Sequence, residues 1–66
     1  MLTFESFLKE ALEPEKHIRK GQRFMNVLMV HRPELERYFH GSQFEINPFY
    51  RDENLWAAVE YVRKNW

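Results

Sequence analysis

The amino-acid sequence predicts an all-α fold, a compact bundle of three longer helices and one short helix with a packed non-helical loop at about residues 42–51. Four segments repeat apolar residues at the period of an α-helix, and none matches a β-hairpin. Pro14 and Pro48 fall outside these segments, where proline commonly interrupts a helix, and Pro33 stands at the start of one. Because 66 residues suffice for one domain and no more, we assign residues 1–66 to a single helical domain.

The composition indicates how so small a chain builds a core. Because the chain has no cysteine, disulfides and thiolate metal sites are excluded, and side chains alone must supply the core. Six Phe, three Tyr and two Trp form a rich aromatic complement, and each buried ring removes roughly 150–250 Å² from water. We therefore expect most aromatic residues to lie in the core.

The first helix is predicted to begin after Thr3 and to end near Glu13. Thr3 can cap its N-terminus, and Pro14 disfavours helical geometry at the residue before it. The apolar stripe of this helix has helical spacing and consists of Phe4, Phe7, Leu8, Ala11 and Leu12.

The second helix is predicted to begin near Glu15 or His17 and to run to His31. One broad face comprises Ile18, Gly21, Phe24, Met25, Leu28 and Met29. A glycine inside a helix costs about 1 kcal/mol relative to alanine. We expect close approach by another helix to compensate at Gly21, because glycine has no side chain to hold a neighbour away.

Two further helices follow. A third, short helix starts with Pro33 at its first position, and Gly41 suits the position after its end. The fourth is predicted to be capped by Asp52 or Asn54. The apolar stripes comprise Leu35, Tyr38 and Phe39 in the third helix and Leu55, Ala58, Val59, Val62 and Trp66 in the fourth.

The segment 42–51 lacks a helical period but is rich in apolar residues. Since a mobile loop of that composition would aggregate, we expect it to pack as a lid between the second and fourth helices. The side chains expected to enter the core are Phe44, Ile46 and Phe49. Gln22 and Asn26, one helical turn apart, are predicted to be a structural polar pair that hydrogen-bonds the backbone of this loop. The alternative for this pair is direct contact with a partner.

Charge and hydropathy narrow the classes of partner. Ten basic and ten acidic residues cancel, so the chain has no global field to attract nucleic acid or an anionic membrane. The longest uncharged apolar stretch, residues 24–30, is too short to span a bilayer. Glu5 stands where a signal peptide would carry basic residues. We therefore expect a cytoplasmic protein with no membrane contact.

The sequence offers no catalytic, cofactor-binding or metal-binding constellation. The three histidines lack the short helical spacings of metal ligands, and we expect solvated or capping roles for His17, His31 and His40. Nucleophilic catalysis lacks a cysteine, and the few hydroxyl groups suit capping, surface and turn positions. Acid–base chemistry needs carboxylates in a dry cleft, whereas the glutamates here are predicted to be solvated. We predict a protein that is not an enzyme and uses no cofactor.

Apolar residues at helix edges and in the loop predict a protein-binding surface. Tyr, Trp and Met are enriched at interface centres, and a chain this small cannot bury all of them. The predicted surface, for a protein partner or for self-association, consists of Met29, Val30, Tyr50, Trp56 and Tyr61.

The alternative is a small nucleic-acid-binding module that uses a basic face of the second helix. The positive residues of this face are Arg19, Lys20 and Arg23. Gln22 and Asn26 beside them have side chains capable of contacting bases. Against this alternative, Glu34 and Glu36 stand at the start of the third helix, where phosphates would lie in a helix-turn-helix protein.

Two stretches resemble short proteins encoded by bacteriophages and prophages. The first, residues 21–28 followed by 32–35, resembles a pattern G-Q-x-x-F/M-N-x-L … R-P-x-L. The second, residues 47–52 followed by Leu55, Val62 and Trp66, resembles the ending D-P-F-Y-x-D … L … V … W, with Asn47 where an Asp is usual. The resemblance implies a phage-related, cytoplasmic, non-enzymatic accessory protein. With the predicted surface, it suggests protein–protein interaction, either with a host protein that the chain modulates or with itself.

Overall fold

The computed structural model describes residues 2–66, which form four α-helices around one apolar core. The helices are α1 (Phe4–Ala11), α2 (Lys20–His31), α3 (Pro33–Tyr38) and α4 (Leu55–Asn65), and 3₁₀ turns lie at Phe44–Ile46 and Asp52–Asn54. The described residues contain no β-strand, only an isolated antiparallel bridge between Glu15 and Ile18. The predicted all-α bundle of three longer helices and one short helix is confirmed.

The N-terminal helix forms where the sequence predicts it. The Thr3 hydroxyl oxygen accepts a hydrogen bond from the Ser6 backbone N–H at 3.1 Å, which satisfies one of the unpaired donors of the first turn of α1. Phe7 and Ala11 are buried, and the rest of the stripe is half-buried: Phe4, Leu8 and Leu12. The apolar spacing therefore correctly indicated which face of α1 packs against the core.

Helix α2 begins at Lys20, which is later than the sequence suggested. The preceding residues 12–19, here called the first linker, contain a turn rather than a helical start. Within it His17 has a left-handed φ of 68°, which interrupts any helical path from Pro14 into α2. Ile18 belongs to this linker, so its helical spacing from later apolar residues was misleading.

Gly21 lies against a loop and not against another helix, which corrects the sequence-based expectation. A Cβ atom at this position would lie 1.8 Å from the Pro48 carbonyl oxygen and 2.9 Å from an oxygen of the Asp52 carboxylate. The Gly21 backbone N–H donates to that same carboxylate oxygen at 3.0 Å. Glycine lowers helix propensity at position 21, but its missing side chain allows the backbone around Pro48 to contact α2.

Aromatic rings meet at the centre of the core, but fewer are buried than the composition predicts, since four of the eleven are exposed: Tyr38, Phe44, Tyr50 and Trp56. Phe7, Phe24 and Phe39 are fully buried. The rings of Phe7 and Phe24 meet edge to face with centroids 5.6 Å apart, and Trp66 stacks on Phe7 at 4.9 Å. The Arg32 guanidinium lies over the Trp66 ring, 4.5 Å from its centroid. Trp66 therefore joins the end of α4 to α1 and to the junction between α2 and α3.

Residues 40–54, here called the second linker, connect α3 to α4 and are anchored by two buried residues, Asn47 and Pro48. The Asn47 side-chain N–H donates to the Phe39 carbonyl oxygen at 2.9 Å. Its side-chain oxygen accepts from the Phe49 backbone N–H at 2.8 Å. The expected packed loop is present, and an asparagine–proline pair forms its most buried part.

The apolar side chains of the second linker are less buried than the sequence suggested. Phe44 is 63% exposed, so its predicted place in the core is wrong. Ile46 and Phe49 are half-buried and pack against the core cluster. Phe44 begins a 3₁₀ turn, whose three-residue repeat places successive side chains on different sides of a very short element.

Candidate protein-binding site

Asp52, predicted as a cap for α4, binds the N-terminus of α2. Its Oδ1 accepts the Gly21 N–H, at the end of the helix where the dipole favours negative charge. The Arg19 guanidinium lies 3.5 Å from the same oxygen and donates to the Phe49 carbonyl oxygen at 2.7 Å. These contacts fasten the second linker to the first turn of α2. They also bring the beginnings of α2 and α4 together.

A shallow groove with a volume of about 740 Å³ lies between these two helix starts and is here called the Trp56 groove. One group of lining residues comes from the first linker and the start of α2. This basic wall consists of Leu12, Ile18, Arg19 and Lys20. The other group comes from the end of the second linker and the start of α4. This acidic wall consists of Asp52, Glu53, Leu55 and Trp56.

Trp56 is the prominent apolar residue of the groove. It is 66% exposed, although an indole ring gains much by leaving water. Leu12 and Ile18 on the basic wall are half-buried, so they too keep apolar surface accessible. A large exposed ring beside partly covered aliphatic side chains has the composition of an interface centre. Trp56 was predicted from the sequence as a surface residue, whereas its groove was not.

Tyr61, also predicted as part of the partner surface, lies at the edge of the core. It is half-buried, and its ring centroid is 5.5 Å from that of the fully buried Phe39. On its other flank lies the exposed Tyr38, with centroids 6.3 Å apart. Tyr61 therefore contributes first to packing between α3 and α4.

The remaining predicted surface residues are exposed but lie outside the lining of the Trp56 groove. Tyr50 is 65% exposed and shares a smaller depression of about 320 Å³ with Phe44. Met29 and Val30 are exposed on α2. Of the five predicted residues, only Trp56 lines the larger groove.

Three residues of these surfaces were assigned to helix stripes or to the core from the sequence: Leu12, Ile18 and Phe44. Apolar spacing does not distinguish a residue that faces the core from one at the rim of a groove. The available signal was Pro14, because a helix broken there leaves Leu12 and Ile18 at the two ends of a turn.

The basic face of α2 is largely engaged within the molecule. Arg19 binds Asp52 and the second linker, as described above. Arg23 donates to the Glu10 carbonyl oxygen through Nε at 3.3 Å and Nη2 at 3.2 Å, and its Nη1 lies 3.4 Å from the Glu15 carboxylate. Lys20 is exposed. The guanidinium groups that would contact phosphate in the nucleic-acid alternative thus already hold the linkers in place.

Gln22 and Asn26 do not tie the second linker as expected. The Gln22 side-chain oxygen accepts from the Arg19 backbone N–H at 3.2 Å and closes the first turn of α2. Asn26 is exposed on the same helix. The linker is held instead by the side chains of Asn47, Asn54 and Arg19, which bind its carbonyl and N–H groups.

An exposed ion pair on α4 perturbs both of its members. A side-chain hydrogen bond from Arg63 lowers the pKa of Glu60, and the same bond raises the pKa of Arg63. Both shifts favour the charged forms, whereas a general acid needs a raised carboxyl pKa. The pair therefore stabilises charge on a solvated helix surface.

Neither a metal cluster nor a membrane span is found within residues 2–66. In that range no group of three or more His, Asp or Glu side chains is arranged to hold a metal ion. The helices described there are too short or too polar to cross a bilayer. In comparisons with known proteins, no family model, curated protein or solved structure matches the chain. The candidate site therefore rests on its own geometry.

Proposed function

We propose that this chain is a non-catalytic binding module that acts by protein–protein interaction through the Trp56 groove. The exposure of the Trp56 indole beside the apolar side chains of the basic wall is the observation that carries the proposal. Removing a Trp from the centre of an interface typically costs about 2 kcal/mol or more of binding free energy. One such residue is enough to dominate the affinity of a small module.

The contacts around the groove support a preformed site. Asp52 is fixed between the Gly21 N–H and the Arg19 guanidinium, and it stands four residues before Trp56. The acidic wall is therefore held in position before any partner arrives. A preformed surface loses less conformational freedom on binding, so more of its contact energy contributes to affinity.

The resemblance to short phage and prophage proteins supports a particular setting for this activity. In that setting the chain is an accessory factor in the bacterial cytoplasm, and the groove contacts a host protein or another copy of the chain. Its effect would be modulation of the protein it binds, without chemistry of its own.

Affinity capture from bacterial lysate tests the proposal. A tagged wild-type chain is expected to retain a defined protein, either a host protein or an untagged copy of the chain. Trp56→Ala is expected to lose it, with at least about a tenfold weaker affinity once the partner is purified. Tyr50→Ala is the matched control, because it removes an aromatic ring of nearly equal exposure from outside the groove.

Circular dichroism should show that both variants keep their helices, since both rings are mostly exposed. If wild type and Trp56→Ala retain the same proteins with the same affinity, the groove is not the binding site. Loss of binding in Tyr50→Ala alone would instead place the interface on the second linker.

A further inference from the structure

The two walls of the Trp56 groove carry opposite charges. Arg19 and Lys20 lie on the basic wall, and Asp52 and Glu53 lie on the acidic wall. Arg19 and Asp52 are paired with each other across the groove at 3.5 Å. Lys20 and Glu53 therefore remain as the outer charges, one on each wall.

These outer charges are available for contact. Lys20 is exposed and takes part in no ion pair within 4.0 Å among residues 2–66. Glu53 pairs only with Arg51 at 3.6 Å, and both of those side chains are more than 70% exposed. Such a pair is weak and easily exchanged for another.

A surface with one basic and one acidic side is complementary to itself. In a twofold symmetric dimer the same patch from each protomer faces the other, rotated by half a turn. A twofold axis that runs along the groove sets the basic wall of one protomer against the acidic wall of its partner, whereas an axis that runs across the groove would set like charges together. Lys20 then meets the second protomer's Glu53, and the same pair recurs on the other side of the axis.

The apolar residues have the same complementarity. Trp56 stands on the acidic wall, while the half-buried Leu12 and Ile18 stand on the basic wall. The rotation that pairs the charges also brings each indole opposite the two aliphatic side chains of the other protomer. A uniformly acidic or basic partner would satisfy one wall and be repelled by the other.

We propose, resting on the function proposed above, that the occupant of the Trp56 groove is a second copy of this chain. Two neutral chains also associate without net charge repulsion, because ten basic and ten acidic residues cancel in each. The interface is expected to be isologous, with Trp56 at its centre and the Lys20–Glu53 pairs at its rim.

Sedimentation velocity over a range of protein concentrations tests the dimer. Wild type and Tyr50→Ala are expected to shift together from monomer to dimer as concentration rises. Trp56→Ala is expected to need at least about a tenfold higher concentration to dimerise. Circular dichroism of each variant establishes that the helices are intact.

Charge reversal makes the test specific to this geometry. Lys20→Glu and Glu53→Lys should each weaken dimerisation, because each places like charges opposite one another at both rim contacts. An equimolar mixture of the two variants should form a heterodimer with affinity close to that of wild type, and the double variant should again form homodimers. A mixture that stays as weak as the single variants would overturn the proposed pairing.

The outcomes separate this inference from the proposed function. Monomeric wild type at concentrations up to about 1 mM would overturn the dimer. If the chain were then to capture a host protein in a Trp56-dependent manner, the binding function would stand with a different occupant. If neither association occurs, both proposals fail.

Discussion

The two linkers of this small bundle are similarly rich in turns, but they differ in how their backbone is held. The first linker, residues 12–19, is half-buried only at Leu12 and Ile18 and is otherwise exposed, and it contains the left-handed His17. The second, residues 40–54, buries Asn47 and Pro48 and touches the backbone of α2 at Gly21. One linker crosses the surface, whereas the other completes the core.

The difference shows what makes a loop part of a fold. Buried backbone groups must find partners, and a loop without a ladder takes them from local turns and from side chains. Asn47 supplies both a donor and an acceptor, and Arg19 supplies a further donor to the Phe49 carbonyl. Apolar content alone does not bury a loop, since Phe44 in the same linker stays exposed.

The two linkers meet at the Trp56 groove, and each leads into one wall. The second linker contributes Asp52 and Glu53 to the acidic wall, and the more exposed first linker contributes Leu12, Ile18 and Arg19 to the basic wall. Weakening the second linker should therefore lower the stability of the fold more than weakening the first. Variants in each linker can test this difference.

The largest expected effect is at the contact between Gly21 and Pro48. Gly21→Ala places a Cβ 1.8 Å from a backbone oxygen, which cannot be relieved by a side-chain rotation. We expect a loss of about 3 kcal/mol in unfolding free energy, despite a gain of about 1 kcal/mol in helix propensity. Urea denaturation measures the net change.

Gly41→Ala is the matched control, because a Cβ there meets no atom within 4 Å. It should be neutral or stabilising by about 0.5 kcal/mol. Equal stability of the two alanine variants would show that the second linker does not press on α2.

Removing the anchor of the second linker should have the next largest effect. Asn47→Ala leaves the Phe39 carbonyl and the Phe49 N–H without their partner, at a cost of about 2 kcal/mol. Asn47→Asp should be at least as unfavourable. A carboxylate cannot donate to the Phe39 carbonyl, and its charge would be buried, because Asn47 is only 3% exposed.

Asn26→Ala serves as the comparison in thermal and urea denaturation, because Asn26 is exposed. A change within about 0.5 kcal/mol is expected there. If Asn26→Ala proved as destabilising as Asn47→Ala, the anchor would have been assigned to the wrong asparagine.

The helices and their buried faces could be predicted from the sequence because they depend on local spacing and capping. The Thr3 cap, the Pro33 start and the buried stripe of α4 all follow from neighbours within a few residues. The late start of α2 could not be predicted, since it depends on a left-handed turn at His17, a position with neither the glycine nor the asparagine typical of such turns.

The site itself depends on contacts between residues far apart in the chain. Trp56 was predicted as a surface residue from its position at the shoulder of a helix. Its groove requires Asp52 to reach Gly21, 31 positions away, and no periodicity encodes that contact. Gly21 correctly indicated a close approach, but only the folded structure shows which segment approaches it.

The smallest expected effect lies in the first linker. His17→Gly should stabilise the protein by about 0.5 kcal/mol. Glycine adopts the left-handed conformation without the strain of a Cβ, and this gain is partly offset because glycine loses more conformational entropy on folding. Lys16→Gly is the control within the same linker and should be slightly destabilising, since Lys16 has no positive φ. If Lys16→Gly unfolds at a higher temperature than His17→Gly in thermal denaturation, this interpretation is contradicted.

Amide hydrogen exchange at single-residue resolution tests the contrast between the linkers most directly. The Phe49 and Asn47 amides donate hydrogen bonds to the Asn47 side chain and the Phe44 carbonyl, at 2.8 Å and 3.1 Å, so they should exchange nearly as slowly as the centre of α2. The exposed Lys16 and His17 amides should exchange rapidly. Equally rapid exchange in both linkers would contradict the conclusion that the second linker is part of the core and holds the acidic wall of the Trp56 groove.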